Sequence, residues 1–200
     1  ENFNAAKAVV EFTGVNVHPG SSKNTMVNAA LVAIEFNSML PSADTPRDTE
    51  EYEGFFHLDA MNGNVSTAML DYIIRDHDVA SFDCRLKTME HIAKILNEKW
   101  GEGTVKLTIT EQYRNMKEII DTCMELIDCA TAACKECGTP ALITPIRGGT
   151  DGARLSFMGV PCPNLGTGGH AFHGPYEHIT VEGMDIAVEV GLKIIELFYK

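Results

Sequence analysis

Basic residues are scarce in this chain of 200 residues, which has 16 lysines and arginines against 28 aspartates and glutamates and a net charge of −12. Nucleic acids and anionic membrane surfaces are bound by clustered Lys and Arg, so the balance predicts neither partner. No apolar run approaches the roughly 20 residues of a membrane span. The opening "ENFNAAKAVVEF" lacks an initiator Met, a basic region and an apolar signal segment. We therefore expect a cytoplasmic chain cut from something longer.

Nucleotide-binding motifs are also missing, since neither the dinucleotide fingerprint nor the Walker spacing occurs. Six cysteines are present, and four of them fall in one predicted helix, which excludes a spread disulfide framework. Cys134 and Cys137 form a C-x-x-C pair at the end of that helix, whereas redox pairs more usually open a helix. We interpret the cysteines as reduced and buried, with a redox or zinc role for the pair as the alternative.

The first half of the chain alternates strand and helix patterns. Residues 6–13 alternate apolar and polar, residues 24–39 repeat apolar positions at helical spacing, and 54–61 with 67–76 predict a hairpin around "MNGN". A second helix follows, and "TVKLTIT" at 104–110 alternates again. This β-α-β-β-α-β order is the ferredoxin-like arrangement, with both helices on one face of a four-stranded antiparallel sheet. Arg75 is predicted on the open face, if Leu70, Tyr72 and Ile74 pack on the helices.

The second half predicts about half of an α/β sheet. A helix over 115–137, a short strand at "ALITPI", a second buried strand in "VPCPNLGTGG" and a last helix over about 180–199 are expected. We therefore predict two domains, a ferredoxin-like lid at 1–111 and part of an α/β domain at 112–200.

Three sites carry candidate chemistry. Arg147 precedes the glycine-rich turn "GGTDG" at the end of a predicted parallel strand, which suits either a carboxylate clamp or a structural turn. His18 follows the first strand, and could donate to an oxyanion or simply be a surface residue. The loop "GGHAFHGPYEH" contains His170, His173 and His178 with Glu177, but its spacing completes no known metal motif.

Four stretches together resemble the peptidase T family, the bacterial aminotripeptidases of the M20 metallopeptidases. They are "NVHPG", "YIIRD", "PIRGGTDGARLSFMGVPCPNL" and "HGPYEHITVEGM", and the resemblance runs essentially the whole length of the chain. It implies a catalytic α/β domain with two zinc ions, into which a lid that can form a homodimer is inserted. Residues 1–111 then resemble the lid, and 112–200 the C-terminal part of the catalytic domain. The family's first half, with most zinc ligands and the general-base Glu, is missing.

The resemblance also assigns roles to residues. His18 matches the lid histidine that stabilises the tetrahedral oxyanion, and His173 matches the family's last zinc ligand. Arg75 and Arg147 resemble the residues that hold the carboxylate end of a tripeptide substrate. With one ligand of its own, the chain by itself is expected to bind zinc weakly and to be inactive.

Two other functions stay open at this point. Another M20 hydrolase, such as a deacetylase, a desuccinylase or a dipeptidase, would share the same fold and motifs. An isolated, non-catalytic lid for dimerisation or small-ligand binding would explain the open sheet face, but not "RGGTDGA" and "HGPYEH".

Overall fold

Two compact units make up the computed structural model, which describes residues 1–199. The first unit contains Asn2–Asn115 together with the short segment Ile146–Gly149, and the second contains Met116–Pro145 and the residues from Thr150 onward. The predicted boundary between residues 111 and 112 separates a lid from a catalytic domain of a longer protein, and it stays a prediction. The short segment 146–149, which carries Arg147, belongs to the first unit.

The first unit has the predicted β-α-β-β-α-β order. Its elements are β1 (Asn4–Thr13), α1 (Ala29–Ser38), β2 (Phe55–Gly63), β3 (Thr67–Asp76), α2 (Val79–Trp100) and β4 (Val105–Tyr113). All neighbouring strands are antiparallel in the order β2-β3-β1-β4. The mixed α/β class with an antiparallel sheet is thereby confirmed.

Alternation along the strands builds the core of this unit. Ala8, Val10 and Phe12 of β1 are buried against the helices, as their pattern predicts. Leu70, Tyr72 and Ile74 of β3 lie in the same core, so the alternate residues of β3, which include Arg75, belong to the open face. Lys7 and Glu11 are exposed on that face of β1.

The first helix begins later than predicted, at Ala29 rather than near residue 24. Asn28 ends the preceding loop, because its side-chain oxygen accepts hydrogen bonds from the backbone N–H groups of Ala30 and Leu31 at 3.0 and 3.3 Å. Val27 instead forms an isolated bridge with Val15. The prediction started the helix too early, because it followed the apolar spacing and did not use Asn28 as the capping residue.

The second unit is mostly helical. It contains α3 (Lys117–Ile120), α4 (Glu125–Glu136), α5 (Asp151–Phe157), the two-residue strands β5 (Gly169–His170) and β6 (His178–Ile179), and α6 (Val181–Tyr199). Helices α4 and α6 pack together, and the Cys129 thiol lies 3.7 Å from the Ile194 carbonyl. None of the helices within residues 1–199 is long and apolar enough to cross a membrane.

Two predictions for this unit were wrong. The single helix at 115–137 is broken after Ile120, where Thr122 Oγ1 donates to the Ile119 carbonyl at 2.7 Å and the Cys123 thiol approaches the same oxygen at 3.3 Å. Such side-chain bonds compete with the helical ladder. The short strands predicted at 141–146 and within 160–169 are also not formed in the described residues, apart from one parallel bridge between Ile146 and Asn2 and the two residues of β5.

Candidate functional site

His18 lies in the loop that follows the C-terminal end of β1. It caps a short 3₁₀ turn at Pro19–Ser21, where its Nδ1 accepts a hydrogen bond from the backbone N–H of Gly20 at 3.1 Å. The lone pair of Nδ1 is therefore occupied, and the proton of the neutral ring resides on Nε2. The side chain is exposed, so Nε2–H is presented outward as a hydrogen-bond donor.

Arg75 lies at the opposite end of the sheet, where it is paired with Ala5 of β1 and Phe55 of β2. Its Nη1 donates to the carbonyls of Ala6 and Ile74 at 3.1 and 2.8 Å, and its Nη2 donates to Gln112 Oε1 at 3.1 Å. The guanidinium also stacks over Tyr113. Burial lowers the pKa of Arg75 from its ordinary value, partly offset by Tyr113, and the group stays cationic.

Arg147 binds the loop that leads into β2. Its Nη1 donates to the carbonyls of Glu51 and Glu53 at 2.9 and 2.8 Å, and its Nη2 donates to the carbonyl and hydroxyl of Thr49 at 3.3 and 2.9 Å. All four Nη hydrogens are thus engaged, and Nε–H remains. The structure therefore gives Arg147 a structural role, because its partners are three backbone carbonyls and one hydroxyl of this loop.

Aromatic residues surround the two arginines at this end of the sheet. The Arg147 guanidinium lies 5.2 Å from the centre of the Phe3 ring and 5.6 Å from that of Phe55. Phe3 is fully buried and also packs on the imidazole of His77, at 4.2 Å between ring centres. No motif marks Phe3, Phe55 or His77 in the sequence, and only their shared odd-numbered register on the open face could have grouped them.

His173 belongs to the loop between β5 and β6 in the second unit. It is exposed and has a φ of 62°, and its backbone N–H donates to Glu177 Oε2 at 2.8 Å. A positive φ is uncommon outside glycine, and it costs roughly 1–3 kcal/mol. The rings of His170 and His178 stack across the two short strands, with their centres 5.3 Å apart.

The family resemblance implies zinc, which His, Cys, Asp and Glu side chains would have to bind. Among residues 1–199, no group of three or more His, Cys, Asp and Glu side chains is placed to hold a metal ion. A catalytic zinc site needs about three protein ligands. The described residues do not form such a site by themselves.

The first unit separates its predicted site residues into two groups. Arg75 and Arg147 lie at the end of the sheet where β1 begins, since both contact the region of Phe55. His18 follows Thr13 at the other end of β1. The eight steps from Ala5 to Thr13 span about 26 Å, whereas an extended tripeptide spans about 10 Å.

The class of protein follows from comparison with known families. Residues 1–104 match the family described as the peptidase dimerisation domain of the M20 peptidases, and the chain belongs to that family. This match covers the β-α-β-β-α sequence of the first unit and ends at the start of β4.

Curated relatives narrow the comparison to peptidase T. The chain is 54% identical to peptidase T of Clostridium perfringens, over 99% of this chain and 49% of the relative. It is 52% identical to peptidase T of Alkaliphilus oremlandii, over the whole chain and 49% of the relative. The predicted resemblance is confirmed, and the chain spans about half the length of these relatives.

Solved structures share the fold at low sequence identity. An aminopeptidase PepT from Bacillus cereus superposes with a TM-score of 0.81 at 18% identity, covering 100% of this chain and 53% of that one. A tripeptidase from Staphylococcus aureus superposes with a TM-score of 0.78 at 19% identity, covering 98% of this chain and 52% of that one. At these identities the likeness concerns the fold.

Proposed function

We propose that this chain supplies the dimerisation domain and part of the catalytic domain of a metal-dependent aminopeptidase, which removes the N-terminal residue from tripeptides. The observation that carries the proposal is the 54% identity to peptidase T, which extends over 99% of the chain and so over both units. Two zinc ions are the proposed cofactor, and His173 is the ligand that the chain contributes. The proposed compartment is the cytoplasm, which fractionation of cells producing a tagged protein tests.

The side chains of the first unit suit binding and stabilisation rather than bond cleavage. His18 would donate its Nε2–H to the oxygen that becomes negative in the tetrahedral intermediate. Arg75 and Arg147 would attract the carboxylate of the peptide, since their described hydrogen-bond partners are neutral oxygens. Because both side chains are positively charged, every peptide substrate would need a free C-terminal carboxylate.

One tripeptide cannot contact His18 and the arginines of the same copy. The separation of about 26 Å along β1 lies within one compact unit, so a rotation of that unit against the other leaves the separation unchanged. A second copy of the chain can supply His18 to the arginine end of the first. We therefore include a homodimer in the proposal, as the family's dimerisation domain suggests.

The second unit presents an apolar surface that suits the remaining half of the relatives' length. Helix α6 exposes apolar side chains at helical spacing, namely Val181, Met184, Val188, Leu192, Ile195 and Phe198. An apolar stripe of this kind is unusual on the solvent-exposed face of a helix, because that face is normally polar. We propose that further catalytic-domain residues cover it.

A chimera tests the function directly. The half of Clostridium perfringens peptidase T that this chain does not match would be joined to the present 200 residues and purified with zinc. We expect release of the N-terminal residue from unblocked tripeptides, and none from N-acetylated ones. Hydrolysis of N-acyl amino acids or of dipeptides alone would instead indicate another M20 hydrolase. The parent peptidase T, treated identically, controls for the assay.

A further inference from the structure

The buried imidazole of His77 lies between two backbone carbonyls. Its Nδ1 is 3.4 Å from the Tyr52 carbonyl oxygen and its Nε2 is 3.3 Å from that of Ile146. Phe3 packs on the ring, Tyr52 contacts it edge-on at 5.2 Å between centres, and the residue is 6% exposed. The backbone of His77 is fixed as well, because its carbonyl accepts hydrogen bonds from the side chains of Asn4 and Asn115.

The two carbonyls belong to the same two segments that Arg147 joins. Tyr52 lies within the loop 49–53, whose carbonyls bind the Arg147 guanidinium, and Ile146 directly precedes Arg147. His77 and Arg147 therefore form two parallel connections between this loop and the segment 146–149. The segment is held further by the bridge from Ile146 to Asn2.

The protonation state of the ring decides how many of these contacts are hydrogen bonds. A carbonyl oxygen only accepts, so each contact needs an N–H on the facing ring nitrogen. The imidazolium carries both and can bond to Tyr52 and Ile146 together. The neutral ring carries only one N–H. The lone pair of its other nitrogen then points at the lone pairs of a carbonyl oxygen, and this contact is repulsive and leaves a buried acceptor without a hydrogen bond from the ring.

The segments that contact the ring carry charged residues. Asp76 and Asp78 flank His77 in the chain, and Asp76 is paired with Arg85, which also binds Asp44. The others are carried by the loop and by the segment, namely Glu50, Glu51, Glu53 and Arg147. A carboxylate close to the ring would favour the imidazolium, whereas a close cation would oppose it.

We propose that His77 is a positioning residue that acts through Arg147, with the protonated ring closing the loop 49–53 onto the segment 146–149 and the neutral ring releasing it. Closure engages the four Nη hydrogens of Arg147, and release makes them available to a peptide carboxylate. The link to carboxylate binding rests on the proposed function, whereas the proton-dependent closure does not.

Amide hydrogen exchange of the 200-residue chain between pH 5 and 8, corrected for intrinsic exchange, tests the closure. We expect residues 49–53 and 146–149 to lose about tenfold protection as pH rises, the loss for about one hydrogen bond to a charged group. The strands of the sheet should stay protected. The step should coincide with the titration of the His77 ring, followed by NMR of the imidazole nitrogens.

Two variants separate positioning from mere packing. His77→Phe keeps a ring between Phe3 and Tyr52 but removes both donors, so its exchange at these segments should equal the high-pH value of the wild type at every pH. His91→Phe alters an exposed histidine of α2 and should keep the wild-type step. If His77→Phe also speeds amide exchange in the strands of the sheet, the variant is destabilised as a whole. The proposal is then tested by the wild-type exchange step and its coincidence with the titration of the ring.

A flat wild-type profile over the two segments overturns the proposal, as does a step that survives in His77→Phe or departs from the ring titration. In the active chimera, the Michaelis constant for free-carboxylate tripeptides should fall as pH rises through the same step. An exchange step together with an inactive chimera would support the closure and refute the proposed function. An active chimera together with a flat exchange profile would support the proposed function and refute the closure.

Discussion

Arg85 connects two carboxylates in the first unit, and its replacement should destabilise that unit strongly. Its Nε donates to Asp76 Oδ2 at 2.8 Å, its Nη1 donates to Asp44, and the guanidinium stacks over Phe56. The side chains of Arg85 and Asp76 are 16% and 5% exposed. The two carboxylates raise the pKa of Arg85 against the opposing effect of burial.

The magnitude follows from what Arg85→Met leaves behind. Methionine retains apolar contact with Phe56 but leaves the Asp76 carboxylate buried without a cation, because its remaining described bond is from the Asp78 backbone N–H at 3.0 Å. Removing one partner of a buried ion pair costs about 3–5 kcal/mol. Most of this cost should come from Asp76, since Asp44 is 34% exposed and can be hydrated.

The assay uses the single tryptophan of the chain. Trp100 ends α2 in the first unit, and its Nε1–H donates to Glu35 Oε2 at 3.0 Å, so its fluorescence reports on the unfolding of this unit. Urea titrations would give the free energy of unfolding for the wild type and for Arg85→Met. Lys106→Met is the matched control, because its bond to Glu11 joins side chains that are 72% and 51% exposed and should contribute at most about 1 kcal/mol.

A double variant checks the stated cause. Asp76→Asn removes the buried charge, so Arg85→Met combined with Asp76→Asn should be more stable than Arg85→Met alone. The reasoning is refuted if Arg85→Met costs no more than Lys106→Met. It is also refuted if the double variant is the less stable of the two, because the uncompensated carboxylate is then not the cause.

Three further outcomes are expected. The 200-residue chain should purify with well under one zinc per chain by elemental analysis and hydrolyse no tripeptide, because His173 alone offers one ligand; two zinc ions with turnover would contradict this. In the active chimera, His18→Ala should lower kcat roughly 100- to 1000-fold with little change in KM, and unchanged turnover would remove His18 from the site. Gly54→Ala should lower the free energy of unfolding by about 1–3 kcal/mol in the Trp100 assay, because the added Cβ would clash with Asp76 Oδ2 and would lie 2.6 Å from the Arg75 carbonyl oxygen. Gly148→Ala, which meets no atom within 4 Å, is its control, and equal effects would refute the clash.

The sheet of the first unit was predictable because one physical rule generates most of it. A half-buried strand must alternate, so the apolar positions of β1 and β3 revealed both their secondary structure and their buried face. The start of α1 was missed although Asn28 is a strong capping residue, because helical spacing was followed beyond the cap. Local hydrogen bonding outweighed periodicity there, as it did at Thr122 between α3 and α4.

The second unit was less predictable because its apolar stretches lack partners within residues 1–199. Leu142 and Ile143 are 80% and 75% exposed, although their neighbourhood reads as a buried strand. A strand is stabilised by its hydrogen-bonded neighbour, and no local pattern reports whether that neighbour is available. The glycine-rich turn after Arg147 was easier to predict because its cause is local: Thr150 Oγ1 accepts a hydrogen bond from the Ala153 backbone N–H, and α5 begins at Asp151.

Arg147 shows how the two readings of one residue can be compatible. The sequence allowed a carboxylate clamp or a structural turn, and the structure shows its guanidinium bound to the oxygens of the loop 49–53. Those oxygens satisfy its hydrogen bonds but leave its charge unbalanced, unlike the carboxylates that neutralise Arg85. In a chain with a net charge of −12, a guanidinium with neutral described partners retains an attraction for a substrate carboxylate. The loop contacts engage the Nη hydrogens without neutralising the charge, so a structural role for Arg147 while the loop is closed is compatible with carboxylate binding once the loop is released.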